Sequence, residues 1–443
     1  MSTLCSTLRR LHRVLPVQRS TRLKVLLLAV LLFVIFVYIH SVRVHHRQSA
    51  ETDDILISWA EPEKCPACFG DTCELLRRGH FVKVHKGKPL KKGIASIGTV
   101  DGKTAIAKVL SEEYMWQRYE SFICGTTPRT DACNPSSFIL ETILVTDVAL
   151  KPDWLREAWR ISHKEKSALS LCLSARFLQE VTRLYVKSEN TVVDRVGRAF
   201  LSTSLLLNEE AVLLRYFTTK SKTPWPFPKF YGACGRVIVV EHAGRTLDTF
   251  MDSSWEVRVD IALQLLQLVD TLREKDPDWV LFLLDVSFQN FAVDSRGWVR
   301  LIDLDDVMVI DRRTVVNQEQ TGMCNEQCYM DFQKTLYSDE YHCEDIFKYT
   351  PMMYASICAR LLSNLQKHPE RRNWSKTSEE REEQRVEVAG SVESDKHFEG
   401  LLHDPPNKIK RPLEGALGRC VQETQPGGRL DAVFTLQQIL KMA

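Results

Sequence analysis

Residues 281–309, LFLLDVSFQNFAVDSRGWVRLIDLDDVMV, constrain this 443-residue chain more than any other stretch. Segments 281–284, 291–293 and 298–302 predict three short strands, each an apolar run bounded by turn formers. Asp294-Ser295-Arg296-Gly297 joins the last two as a tight turn. Polar groups therefore gather at strand ends, with Asp285 after the first strand, Asn290 closing the loop that follows, and Asp303 at the end of the third. Two carboxylates and a carboxamide so placed suit a hard divalent cation, which takes oxygen ligands. For any one of the three, turn capping is the competing reading, because Asp and Asn side chains readily bond their own backbone.

The order D-x-x-x-x-N, hairpin, hydrophobic-Asp resembles the catalytic loop and metal-binding aspartate of protein kinases. The wording is closer still to the divergent protein kinase domain 2 family, the deleted-in-autism group of secretory-pathway proteins. CPACFGDTC, WPFPKFYGACGR, LLDVSFQNFAV and GLLHDPP, spread from Cys65 to Pro406, all resemble family segments. The resemblance implies an α+β, bilobal protein-kinase-like fold with a helical insertion in its N-lobe. It also implies Asp285 as catalytic aspartate, Asn290 as a metal ligand, Asp303 as the main metal ligand, and ATP with Mg2+ or Mn2+ as cofactor. Three features depart from active kinases. Leu283 and Leu284 replace His-Arg, Ser287 replaces a phosphate-contacting lysine, and Asp303-Leu304-Asp305 lacks the glycine after the metal aspartate.

Upstream, Asp101-Gly102 predicts a hairpin turn between strands at 94–100 and 104–110. Lys108 lies inside the second strand. Taken alone it reads as a gatekeeper on an edge strand, whereas the resemblance makes it the lysine that holds the nucleotide phosphates. Segment 205–217 predicts one amphipathic helix. Glu210, with Glu209 as the alternative, stands there where the kinase helix glutamate pairs with the strand lysine, although helix glutamates are mostly just solvated. Gly87, Gly93 and Gly98 are too widely spaced for one phosphate-covering turn. Helical spacing recurs at 152–161 and 169–185, within the stretch that separates Lys108 from segment 205–217. The related divergent kinase domain 1 family carries a calcium-binding EF-hand in this region. Neither Asp131 nor Asp194 starts such a loop, so none is expected. Glu241-His242-Ala243-Gly244 resembles the hinge between lobes, 255–273 predicts a long helix, 349–365 another, and a final helix is expected near 434–440.

The first fifty residues hold no acid, and Arg9, Arg10, Arg13, Arg19, Arg22 and Lys24 precede an apolar run from Val25. With the basic excess before the run, the N-terminus stays cytosolic. The absence of a small-x-small site favours an uncleaved signal anchor over a cleaved signal peptide. The expected organisation is a cytosolic tail (1–22), a transmembrane helix (23–42), a stem (43–62), a Cys-rich segment with the N-lobe and its insertion (63–240), and a C-lobe (241–443). A charged insertion at 367–398 lacks an apolar pattern and is expected to be flexible. So short a span suits endoplasmic reticulum or Golgi membranes, in a single-pass type II protein; secretion of the domain is the variant of this reading.

Cys5 precedes the run and twelve cysteines follow it: Cys65, Cys68, Cys73, Cys124, Cys133, Cys172, Cys234, Cys324, Cys328, Cys343, Cys358 and Cys420. An even set in a lumenal domain predicts disulfides, whose pairing spacing cannot decide. Cys65, Cys68 and Cys73 have a zinc knuckle, completed by His80 or His85, or a redox pair as alternatives. Asn373-Trp374-Ser375 is the one open glycosylation sequon. With 59 basic and 57 acidic residues, the balance gives no reason to expect a nucleic-acid partner. Two functional classes stand. One is a lumenal phosphotransferase acting on secretory-pathway or extracellular proteins. The other is a pseudokinase that binds a partner or receptor without catalysis. The complete set Lys108, Glu210, Asp285, Asn290 and Asp303 favours the first, and the missing His-Arg, glycine-rich loop and catalytic-loop lysine favour the second.

Overall fold

A computed structural model describes residues 35, 72–78, 81–82, 95–111, 113–125, 138–141, 145–146, 149–162, 169, 172–186, 192–220, 224–315, 343–363 and 400–442. The chain starts with helix α1 (Thr72–Arg77) and strands β1 (Phe81–Val82), β2 (Ala95–Val100) and β3 (Lys103–Val109). The β2–β3 turn places Asp101 and Gly102 at φ of 50° and 73°. That left-handed pair is what an Asp-Gly turn accommodates. Helices α2 (Glu113–Gly125), α3 (Pro152–Ser162), α4 (Ala175–Tyr185), α5 (Val192–Leu207) and α6 (Glu210–Lys220) follow, then β4 (Phe230–Cys234) and β5 (Val237–Glu241). The five strands form one antiparallel sheet in the order β1-β2-β3-β5-β4. β3 is therefore central, with Lys108 opposite Ala95 on one side and Ile238 on the other. The edge-strand reading of Lys108 is corrected by this pairing.

Two helices expected from spacing start elsewhere. The single helix expected at 205–217 is two, because Asn208 interrupts it and its Oδ1 accepts from Glu210 N at 2.9 Å. Asparagine competes with the helix backbone in this way and favours caps over interiors. In the 169–185 stretch, α4 begins at Ala175, after Ser174 Oγ accepts from Phe177 N at 3.1 Å.

The second half runs β6 (Arg245–Thr246), α7 (Trp255–Glu274), β7 (Trp279–Leu283), β8 (Phe291–Val293), β9 (Val299–Leu301) and β10 (Val307–Asp311). It continues with a 3-10 stretch at 343–349, α8 (Met352–Ile357), a π-helical turn (Cys358–Leu362), α9 (Asn407–Val421) and α10 (Gly428–Lys441). β10 pairs antiparallel with β7, and β8 lies between β6 and β9. The strand expected at 298–302 is shorter, since Trp298 is 56% exposed at the turn. The helix expected at 349–365 is replaced by α8 and the π turn, and the one expected near 434–440 starts at Gly428.

One apolar core runs from α2–α6 through α7 and β7–β10 to α9 and α10. A smaller one lies between α1 and the sheet, built on Leu76, Ala105, Ala107, Val109, Cys234, Val237 and Val239. The inserted helix α4 is fastened to the far half by Arg176, which lies 3.9 Å over the Trp279 ring and pairs with Asp278 and Asp311 at 2.9 Å.

Cys73–Cys234 staples α1 to β4, and Cys358–Cys420 ties the π turn to α9. Cys124 and Cys172 are disulfide-bonded as well. Cys73 is thereby committed, which removes it from the zinc or redox alternative. Cys65, Cys68, Cys133, Cys324, Cys328, the side chain of Cys343, and Asn373 lie outside the described residues, as do 367–398 and the expected anchor apart from Ile35. Among the described residues no helix is long and apolar enough to cross a membrane.

Candidate active site

The alternation of β3 sets the site. Ala105, Ala107 and Val109 face the small core, so Ile106 and Lys108 point to the opposite face of the sheet. There Lys108 Nζ lies 2.8 Å from Glu210 Oε2 at the start of α6 and 2.7 Å from Asp303 Oδ1. Glu210 is 1% exposed. Its neighbour Glu209, the alternative candidate, is equally buried but accepts from Leu169 N at 3.2 Å. It therefore holds the helical insertion and leaves Glu210 to the lysine.

Asp303 follows β9, and two backbone bonds cross-tie its segment to the 284–290 loop. Ile302 N donates to Asn290 O at 2.8 Å, and Leu284 N donates to Asp306 O at 3.0 Å. Within the loop, Asn290 is 7% exposed and its Nδ2 donates to Asp285 Oδ2 at 2.8 Å. The structure thus joins Lys108, Glu210 and Asp303 by side chains, joins Asp285 to Asn290 in the same way, and connects the two groups through the main chain.

Charge is unbalanced around the lysine. Burial alone would lower the Lys108 pKa, but Glu210, Asp303 and Asp305 together hold it above its ordinary value, so it stays an ammonium. Burial pushes Glu210 up to about 7 against the pull of Lys108. Asp305, in the position of the missing glycine, is pushed well up by burial and then by Asp303 and Asp306. Lys108 thus faces Glu210, Asp303 and Asp305, of which burial holds Glu210 and Asp305 toward their neutral forms. Among the described residues no three His, Cys, Asp or Glu side chains converge as a ready metal cage.

The hinge-like segment borders a cavity of about 1160 Å3, lined also by the β2–β3 turn, the start of α7 and the β8–β9 turn, and by none of the five site residues. Gly244 is required there. Its φ is 103°, and a Cβ would meet Val293 O at 1.8 Å.

The Glu210 environment has a measurable consequence. Its folded value lies above the ordinary 4.5, at about 7, so the folded chain keeps a proton that the unfolded chain has lost across that window. This group's share of stability is present below the window and falls as pH rises through it. Glu210→Gln is expected to flatten the decline by about 2–3 kcal/mol between roughly pH 4.5 and 7. Urea unfolding of both proteins at several pH values checks this; parallel profiles would contradict it.

A family model described as the protein-kinase domain of FAM69 matches residues 202–423, from within α5 to just past α9. The chain is 27% identical to divergent protein kinase domain 2A of Xenopus tropicalis, over 94% of each chain. To the human 2A protein it is 27% identical, over 87% of this chain and 90% of the other. To human divergent protein kinase domain 2B it is 24% identical, over 68% and 72%.

Proposed function

The chain belongs to the family that carries the FAM69 protein-kinase domain, and on that premise we propose that it binds ATP with Mg2+ or Mn2+ and passes the γ-phosphate to a hydroxyl on a secretory-pathway or extracellular protein. The observation that carries this reading is Lys108 held between Glu210 and Asp303 at 2.8 and 2.7 Å. Phosphoryl transfer needs positioning and charge more than covalent chemistry. Glu210 orients the ammonium, which meets the nucleotide phosphates. Asp303, with Asn290, supplies oxygens to a metal that would offset the phosphate charge. Asp285 accepts the hydroxyl proton, its carboxylate oriented by Asn290.

The second reading, a pseudokinase acting as a binding or signalling protein, is favoured by Leu283-Leu284, Ser287 and Asp305. Transfer of labelled γ-phosphate by the full chain separates the two. The enzyme reading expects incorporation into an acceptor protein and at least a hundredfold loss in Asp303→Ala, which removes a metal ligand. Wild type indistinguishable from Asp303→Ala favours the pseudokinase.

A Golgi or endoplasmic reticulum location, in a type II orientation with the domain in the lumen, belongs to the same proposal. It rests on the acid-free basic leader and on disulfides, which persist in oxidising compartments. An N-glycan on Asn373, removed by endoglycosidase and shielded with the domain from protease in intact microsomes, is the expected result. A protease-sensitive, unglycosylated domain contradicts it.

A further inference from the structure

Helix α6 carries Glu210 on its first turn, and the helical insertion holds that helix along its length. Seven of its eleven residues, Glu210 to Leu214 with Tyr216 and Phe217, are buried. A helix covered on nearly every side cannot turn without exposing apolar surface. At its start, Asn208 Oδ1 accepts from Glu210 N at 2.9 Å, and Glu209 Oε1 accepts from Leu169 N of the insertion at 3.2 Å. Further along, α4 takes over. Arg215 Nη2 donates to Leu184 O at 2.7 Å, the Tyr216 hydroxyl donates to Glu180 Oε2 at 2.6 Å, and the Phe177 and Tyr216 rings lie 5.0 Å apart. The Tyr216 oxygen also accepts from Trp279 Nε1 at 3.0 Å, which ties α6 to the first residue of β7. Trp279 faces Asp311 across β7 and β10, and Arg176 of α4 grips both, lying over the indole and donating from Nε to Asp311 Oδ2 at 2.9 Å. From that grip the two strands reach the site, since Asp285 follows β7 and Asp303 precedes β10.

We propose that the insertion is a built-in clamp that keeps α6 docked, and with it Glu210 on Lys108, before any nucleotide, partner or modification arrives. Placement of the helix that bears this glutamate is a common control point in protein kinases, because lysine and glutamate must meet before transfer. Here the element that places it belongs to the same chain. α4 touches α6 and the β7–β10 pair at once, so withdrawing Glu210 would break the Glu209 and Tyr216 hydrogen bonds and uncover apolar side chains together. Glu209 is the positioning residue next to the pair, its Oε1 turned to the insertion while Glu210 turns to the lysine. The docking of α6 stands on these contacts alone. Its consequence, a phosphotransferase governed by substrate supply and not by movement of this helix, rests on the reading proposed above.

Hydrogen exchange of the full chain reads the clamp directly, because amides of a helix that undocks exchange faster than those of the core. Without nucleotide, the amides of 212–217 are expected to be protected to within roughly tenfold of those in the middle of α7, and ATP with Mn2+ is expected to leave them unchanged. Faster exchange than that limit overturns the inference, and so does a marked slowing when nucleotide is added. Glu209→Ala is expected to speed exchange in 212–217 by roughly tenfold or more while α7 is unaffected, to lower turnover with ATP, and to regain protection with ATP and Mn2+, since nucleotide on Lys108 favours the docked helix. Glu209→Gln, whose amide oxygen can still accept from Leu169 N, is expected to restore protection and turnover. A merely structural Glu209 would speed exchange in 212–217 and α7 together, with a matching fall in melting temperature, and that outcome overturns the inference. Unchanged exchange at 212–217 in Glu209→Ala does so too. If Glu209→Ala does not fold, the nucleotide-free wild type decides by the same limit. A wild type that is protected yet neither binds nucleotide nor transfers phosphate keeps the clamp and fails the phosphotransferase reading alone.

Discussion

Asp285→Asn is expected to lower phosphoryl transfer by roughly 10²- to 10⁴-fold, the usual worth of a positioned base, and to leave nucleotide-induced stabilisation nearly intact. The split follows from where Asp285 is tied. Its carboxylate is bonded to Asn290 and faces Arg360, while the lysine cluster is completed by Glu210 and Asp303 without it. An asparagine fills the same volume, so packing is kept. Its amide cannot take the acceptor proton, however, and one end of it cannot accept from Asn290 Nδ2. Asp303→Ala is the contrasting variant, expected to lose both binding and transfer because it would remove an oxygen from the proposed metal site. Single-turnover rates and melting curves on the same preparations check the split. Full turnover in Asp285→Asn contradicts the role given to this residue.

Lys108→Met carries the largest expected stability effect. The methionine fills most of the lysine's space, yet Glu210, almost wholly buried, and Asp303, partly exposed, are left without the ammonium between them. Removing one partner of a buried pair typically costs about 3–5 kcal/mol. The exposure of Asp303 places the expected loss near the low end, on the order of 3 kcal/mol at neutral pH. Glu210 is already pushed up to about 7 by burial, and losing Lys108 pushes it further, so part of the cost is relieved by protonation. The variant is therefore expected to lose less stability at acidic than at alkaline pH, and adding Glu210→Gln is expected to restore part of the loss. Urea unfolding measures both. A fully stable Lys108→Met contradicts the buried cluster.

Asp285, Asn290 and Asp303 are legible in sequence because they sit at strand ends a few residues apart, where short apolar runs and turn formers bracket them. Lys108 and Glu210 were legible only as a pattern. Their contact joins a central strand to a helix start more than a hundred positions later, and the local reading of Lys108 as an edge residue failed because strand order is a tertiary property. The break at Asn208 was hidden by an unbroken apolar period across 205–217. β10 is not among the strands expected from sequence, because Asp305-Asp306 reads as loop and its pairing with β7 is a tertiary property. Arg360 left no signal, since a π turn shifts side chains off the 3.6-residue period by which helix faces are read. The partner of Cys73 lies 161 residues away, beyond anything spacing can specify.

The central claim is that Lys108 and Asp303 form a nucleotide–metal site, and melting of the full chain tests it most directly. With ATP and Mg2+ or Mn2+ at a hundred times the dissociation constant, wild type is expected to gain about 2.7 kcal/mol, and Lys108→Met and Asp303→Ala to gain almost nothing under the same conditions. The absence of any shift in wild type, with every nucleotide and metal pair tried, contradicts it.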